Sequence, residues 1–373
     1  MSASRRRVLS IFGTRPEAVK LAPVIAELAA APDFESLICV TAQHREMLDQ
    51  VLGLFAIRPD VDLDLMQPDQ SLADLTAAVI HGLDPILRDV KPDWVLVQGD
   101  TTTAMAAALV AFYHRARLGH VEAGLRTDDK WQPFPEEINR RVASVVADLH
   151  FAPTDRARQN LLREGVRQEQ ILVTGNTVID ALLRVADQPY AWDSGPLRQV
   201  PLDRRLITVT AHRRENFGAP LEDVFEALRT LADEFSGDVH LVYPVHRNPN
   251  VAKPAHRLLG RVANISLIDP LDYLPMVHLL KRSHLVLTDS GGLQEEAPAL
   301  GVPVLVLRQV TERPEAIEAG TARLVGTDPQ RILQEARRLL RDPAAHAEMA
   351  HAANPYGDGR ASARIVAALR QAG

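Results

Sequence analysis

The chain has 373 residues, 46% of them hydrophobic and 24% charged, with a formal net charge of −6. That length and balance support two buried cores and exclude a disordered chain, and the negative charge gives no general attraction for nucleic acid or an anionic membrane. One cysteine, Cys39, excludes an internal disulfide and a cysteine-based zinc site, and suits a reducing cytoplasm.

The basic start MSASRRR leads into an apolar run, Val8 to Phe12, that is too short for a signal-peptide core. No later stretch reaches the roughly 18 uninterrupted apolar residues of a membrane span, so neither export nor membrane insertion is expected. Along the chain, short apolar runs are followed by a small or polar turn and then a helical stretch. VLSIF precedes GTRPEAVKLAPVIAELA, WVLVQ precedes GDTTTAMAAALVAFYH, LITVTA precedes HRREN, HLVYPV precedes HRNPN, and HLVLT precedes DSGGLQEEAPAL. Runs of this kind, buried on both faces, are what a parallel sheet with crossover helices requires, so the class is α/β.

The proline-bearing stretch Asp187 to Arg205 has little apolar periodicity and reads as a surface connection between two domains. An internal echo, Arg15-Pro16-Glu17-Ala18 against Arg313-Pro314-Glu315-Ala316, also suggests two similar α/β lobes, with a ligand in the cleft that faces the carboxyl ends of both sheets.

The polar clusters lie at the predicted strand ends. Gly13 to Glu17 offers backbone N–H groups at a helix start and the Arg15 guanidinium, which suits either a phosphate contact or a capped turn. Asp60, Asp62 and Asp64 alternate with Val61 and Leu63, the pattern of one wet strand face rather than a metal site. Asp100, Glu122 and Glu136 all fall at strand ends or in the following loops. Together they imply general acid–base chemistry or a metal site, while singly Asp100 reads as a helix cap and Glu136 as a first-turn acid after Pro135. Glu137 is read as a helix-start carboxylate beside the pocket. His212 to Asn216 concentrates positive charge after a strand, suiting a pyrophosphate contact with His212 as a proton donor, or a solvated face. In DSGG, Ser290 is a candidate helix cap and Gly291 lets a ligand approach the backbone; Glu296, next to Glu295, is placed for ribose hydroxyls. His346 and His351 are poorly phased for a shared metal. There is no G-x-G-x-x-G and no Walker loop, which removes the main support for NAD or ATP.

The motifs FGTRPEAVKLAPV, VTAQHREMLDQV, GDTTT, GHVEAGLRT, PFPEEINR, TGNTVIDAL, HRREN, YPVHRNPN, LTDSGGLQEEAP, TERPEAIEAGT and NPYGDGRAS together resemble the non-hydrolysing UDP-N-acetylglucosamine 2-epimerases of bacteria, over nearly the whole chain. The resemblance implies a GT-B architecture of two Rossmann-like lobes: residues 1–175 as an N-terminal domain with the acid cluster, 176–352 as a C-terminal UDP-binding domain, and 353–373 crossing back to the first. It implies a cytoplasmic homodimer that interconverts UDP-N-acetylglucosamine and UDP-N-acetylmannosamine for surface polysaccharide supply, without a cofactor or metal. The implied route eliminates UDP to give 2-acetamidoglucal and then adds UDP back. Carried over by motif, Asp100, Glu122, Glu136 and His212 are catalytic, and Arg15, Lys20, Arg213, Ser290, Gly291 and Glu296 bind substrate. Gln43, His44 and His246 match a regulatory region of some members, although Glu46 and Asp69 depart from it. A GT-B glycosyltransferase, an epimerase for a modified UDP-sugar and a non-catalytic nucleotide-sugar sensor are the competing expectations.

Overall fold

A computed structural model describes residues 5–41, 45–65, 67 and 69–372. The chain divides into two compact units, Met1–Ala181 with Tyr356–Gly373, and Leu182–Pro355.

The first unit is built on seven parallel strands: β1 (Arg6–Phe12), β2 (Phe34–Val40), β3 (Val61–Asp62), β4 (Trp94–Gln98), β5 (Arg117–Val121), β6 (Leu149–Ala152) and β7 (Ile171–Val173). They lie in the order β3-β2-β1-β4-β5-β6-β7. Every residue of β4 is buried, as a central strand covered by helices on both faces demands. Only Val61 and Asp62 pair at the outer edge, although the exposed Asp60, Asp62 and Asp64 do alternate with half-buried Val61 and Leu63 as expected. In the helix Arg15–Ala30, Pro16 occupies the first turn, where a missing N–H costs nothing.

The second unit has six parallel strands: β8 (Arg205–Thr210), β9 (Val239–Pro244), β10 (Ile265–Ile268), β11 (Ser283–Thr288), β12 (Val304–Val306) and β13 (Ala322–Leu324). Their order is β10-β9-β8-β11-β12-β13. Both sheets are therefore Rossmann-like and doubly wound, the α/β class expected. In each, the first strand and the one to its other side feed helices in opposite directions, which opens a crevice at their carboxyl ends. Those switch points lie between β1 and β4 in one unit and between β8 and β11 in the other, where the candidate residues cluster.

Two expectations are corrected. The stretch Asp187 to Arg205 is not a free connection: it belongs to the second unit, where Leu197 and Val200 pack with Leu206, Val242 and Leu279 in a small core. Sparse apolar residues hid this, because a short 3-10 turn at Gly195–Leu197 buries only one of its side chains. The sequence echo also has unequal outcomes. Arg15 opens a 16-residue helix, whereas Pro314–Glu318 is a helix of 5 residues.

The C-terminal helix Ala361–Gln371 is held on the first unit by Arg6, which donates to the carbonyl of Leu369 at 2.9 Å, and by Arg370, paired with Asp33 at 2.8 Å. Among the described residues, no helix is long and apolar enough to cross a membrane.

Candidate active site

In the first unit, β4 and β5 pair with Gln98 opposite Val121, so the residues just beyond them emerge side by side. Glu122 follows β5 in the left-handed backbone region at φ +63°, which a non-glycine residue adopts only at a cost of about 1–3 kcal/mol. The turn brings its buried carboxylate among three donors. Lys20 Nζ lies 2.7 Å from both oxygens, Asn176 Nδ2 donates to Oε1 at 2.9 Å, and Gln98 Nε2 donates to Oε2. Lys20, expected at the substrate, is thus a partner of Glu122 here.

Beside it, His120 is fully buried, and burial pulls its pKa down to about 4, so the ring is neutral. Its Nε2 bonds the carbonyl of Gly99 at 2.8 Å, which tethers the turn after β4 to β5.

Asp100 is half-buried in that turn and accepts from Arg140, while its carbonyl accepts from Asn139 Nδ2 at 3.0 Å. It is not the helix cap: Thr101 takes that role, accepting from the Ala104 amide at 3.0 Å. Arg140 and Asn139 belong to the helix Glu136–Val146, so Asp100 is fastened to the helix that starts with Glu136. Glu136 itself is half-buried, and among the described residues its side chain has no ion-pair partner. Glu137 is fully buried, not a rim carboxylate. It pairs with Arg140 at 3.4 Å and Arg141 at 3.1 Å and accepts from the Thr127 amide at 3.2 Å.

The expected anion contact at Gly13–Glu17 is already taken by the chain. Glu17 Oε2 accepts from the amides of Gly13 at 3.0 Å and Thr14 at 2.8 Å and from the Thr14 hydroxyl, while its Oε1 accepts from Thr101 at 2.6 Å. The capped-turn alternative holds there. Burial raises the Glu17 pKa and these donors pull it back. Arg15 is exposed, and among the described residues it pairs with no carboxylate.

The second unit repeats the device from the opposite side of its switch point. Asp289, fully buried after β11, accepts through Oδ2 from the amides of His212 at 2.7 Å and Arg213 at 2.8 Å. Its Oδ1 lies 3.5 Å from His212 Nδ1. Burial lowers the His212 pKa most, the Asp289 charge opposes this, and His246 and Arg213 lower it further. His212 is therefore mostly neutral at pH 7, an imidazole oriented by a carboxylate.

Arg213 pairs with Glu312 at 3.2 Å. Ser290 does not cap the following helix: Gly292 stands at the cap, and the Ser290 amide donates to Thr288 Oγ1 at 2.9 Å. At Gly291 an added Cβ would lie 3.0 Å from Glu312 Oε1, so a larger residue would press on the partner of Arg213. Glu296 accepts from the Tyr273 hydroxyl at 3.0 Å, and Glu295 pairs with Arg313. Tyr273 is held well above its ordinary pKa by burial and by the charge of Glu296.

Gln43 and His44 lie outside the described residues. His246 is exposed, its ring stacked on His212 with centroids 5.3 Å apart, and it lines a cavity of about 500 Å³ with Arg198, Arg247, His256 and Asp269. His346 stacks on His284 at 3.9 Å. Among the described residues, no three His, Cys, Asp or Glu side chains converge as a metal site.

Sequence reasoning missed Glu17, Gln98, Arg140, Asn176, Tyr273 and Asp289 as individual residues. Most sit within motifs already singled out, but their importance comes from partners distant in the chain, such as Asn176 with Glu122. The usable signal was the set of polar residues ending buried strands, Gln98 after WVLV and Asp289 after HLVLT.

The family model described as UDP-N-acetylglucosamine 2-epimerase matches residues 26–370. The UDP-N-acetylglucosamine 2-epimerase of Escherichia coli (strain K12) is 55% identical over 372 residues, 98% of each chain. That of Bacillus subtilis (strain 168) is 52% identical over 363 residues, 97% of this chain and 94% of the relative. The crystal structure of UDP-GlcNAc 2-epimerase from Neisseria meningitidis bound to UDP-GlcNAc superposes with a TM-score of 0.85 at 48% identity, covering 98% of this chain and 100% of the other.

Proposed function

The chain belongs to the UDP-N-acetylglucosamine 2-epimerase family, and from that premise we propose that it inverts C2 of UDP-N-acetylglucosamine by eliminating UDP and adding it back. The C2 proton of this sugar is not next to a carbonyl, because C1 is an acetal, so removing it alone leaves a carbanion without stabilisation. In the elimination, a base takes that proton, its electron pair forms the C1–C2 double bond of 2-acetamidoglucal, and the C1–O bond breaks with its pair leaving on UDP. Re-addition returns UDP to C1 and places a proton on the other face of C2, giving UDP-N-acetylmannosamine. Opposite faces require separately placed proton carriers.

The observation that carries this proposal is the arrangement around β4 and β5. Asp100 and Glu122 leave adjacent strands, each oriented by partners of its own, Arg140 for one and Lys20, Gln98 and Asn176 for the other. Glu136, without an ion pair among the described residues, is the third proton carrier. His212 donates a hydrogen bond to the leaving diphosphate, Arg213, Ser290 and Gly291 contact its oxygens, Glu296 takes the ribose, and Arg15 is a further substrate-binding residue. His246, stacked on His212, is the described member of the regulatory set. Incubation with UDP-N-acetylglucosamine and no acceptor is expected to yield UDP-N-acetylmannosamine at equilibrium. A product formed only when a sugar acceptor is added would instead identify a glycosyltransferase, and turnover confined to a modified UDP-sugar would change the substrate.

The enzyme is inferred to work as a homodimer. Phe112, Tyr113, Ile138 and Val145 are exposed on the helices Thr102–Tyr113 and Glu136–Val146, an apolar surface of the kind that association covers. Sedimentation of the purified chain at twice its monomer mass is expected; sedimentation at the monomer mass across the micromolar range contradicts it. Buried Cys39, its thiol pushed up to about 12 by burial, needs no oxidising compartment and accords with a cytoplasmic enzyme making surface polysaccharide precursors.

A further inference from the structure

We propose that Asn176 is a positioning residue for Glu122, held in register by the C-terminal segment from Tyr356 to Ser362. The inference rests on Glu122 being a proton carrier of the epimerisation. A carboxylate transfers a proton usefully only when its plane is fixed, and a single cation lying between both oxygens does not fix it. Lys20 lies 2.7 Å from each oxygen of Glu122, so it supplies charge while permitting rotation about the terminal bond. The two amides act differently: Asn176 addresses Oε1 at 2.9 Å, and Gln98 addresses Oε2. One donor on each oxygen defines the plane.

Gln98 is the last residue of a buried strand and is rigid for that reason. Asn176 stands between the three-residue strand β7 and the helix Thr177–Ala186, whose Ile179 amide donates to its carbonyl at 3.1 Å. Further support comes from the far end of the chain. The Asn176 amide donates to the carbonyl of Tyr356 at 2.6 Å, while its Oδ1 accepts from the Val178 amide at 3.2 Å. Next to it, Gly175 at φ +87° and Gly357 at φ +129° approach so closely that a Cβ on Gly175 would lie 3.1 Å from the Gly357 Cα. Both positions thus require glycine, for backbone conformation and for space.

One turn further along, buried Asp180 accepts from the amides of Ala361 at 3.2 Å and Ser362 at 2.8 Å and from the Ser362 hydroxyl at 2.5 Å. Arg364, oriented by its pair with Asp358, donates to the Thr174 carbonyl at 2.9 Å. Residues 174–180 are therefore clasped along their length by residues 356–362 and the helix they lead into, and the clasp ends on Glu122 through one short side chain with two rotatable bonds.

The test compares Asn176→Ala, Gly357→Ala and Arg370→Ala in the full-length protein. For Asn176→Ala we expect kcat for UDP-N-acetylglucosamine to fall about 10²-fold, the scale of a misplaced catalytic group, with KM and the Kd for UDP changed by about twofold or less. The limb of the pH–rate profile set by Glu122 should move to higher pH, because its ionised form loses a donor. Gly357→Ala, which touches no atom of Glu122, should show the same signature at smaller amplitude. Arg370→Ala, which removes from the same C-terminal helix the remote pair with Asp33 and the stacking on Phe34, should leave kcat and the profile unchanged.

Wild-type kcat and profile in Asn176→Ala overturn the proposal, as does loss of UDP binding in parallel with kcat. If that variant does not fold, Asn176→Asp keeps the size and removes the donor, and is expected to lower kcat at least as much with a larger profile shift to higher pH, because it also sets a second carboxylate beside Glu122. An inactive Glu122→Gln together with a fully active Asn176→Ala sinks the positioning role alone, whereas a fully active Glu122→Gln sinks the premise.

Discussion

Glu122→Gln is expected to lower the epimerisation rate by about 10²- to 10⁴-fold, the range that one positioned proton carrier contributes, with UDP affinity close to wild type. The substitution keeps the size of the side chain and removes its ability to take a proton. It also leaves Lys20, Gln98 and Asn176 facing a group that accepts through one atom instead of two. At least one buried donor then has no acceptor, so a stability loss of about 1–3 kcal/mol should accompany the rate loss. Rate measured against UDP affinity by calorimetry separates the two effects. A variant that loses UDP binding together with turnover would make Glu122 a structural residue, and one that turns over normally would remove it from the mechanism.

Arg140→Ala should destabilise the first unit strongly. Its guanidinium, 11% exposed, is shared between Asp100 and Glu137, and the Glu137 side chain is 0% exposed. Removing Arg140 leaves the buried Glu137 carboxylate with only the more exposed Arg141 as a cation, so the cost should approach that of a broken buried pair, about 3–5 kcal/mol. Arg141, 39% exposed, is the other cation on Glu137, and its own truncation should cost about 1 kcal/mol or less because solvent screens that pair. Urea midpoints of the two variants provide the comparison; similar midpoints would show that Glu137 is solvated and that the helix Glu136–Val146 is not fastened through Arg140. Turnover should fall as well, since Asp100 loses the group that orients it.

The parts of this molecule that rest on local pattern could be read from sequence. WVLVQ coincides with β4, and four other predicted apolar runs fall on β1, β8, β9 and β11, because a strand buried on both faces must be apolar throughout. Weaker strands such as β3 and β13 lack that signature, being edges of two and three residues. Motif resemblance brought out the candidate acids as residues, but not their partners. Whether Gly13 and Thr14 present free amides or a capped turn depended on Glu17 turning back onto them, and residue spacing allows both outcomes. Asp100 was readable as a cap only because Thr101, one residue on, competes for the same role and wins. Asn176 and Tyr356 lie far apart in the chain, well beyond the window of about 11–18 residues in which periodicity is read. The linker reading of Asp187 to Arg205 failed for a related reason: Leu197 and Val200 find their partners on β8, β9 and the helix Tyr273–Arg282 rather than in the stretch itself.

The most direct measurement is proton NMR of UDP-N-acetylglucosamine incubated with the purified protein in deuterium oxide, without acceptor or added cofactor. The proposed mechanism predicts UDP-N-acetylmannosamine carrying deuterium at C2, with deuterium also entering C2 of the recovered substrate pool. Epimerisation with C2 retaining its original hydrogen, or no second sugar nucleotide at all, would contradict it.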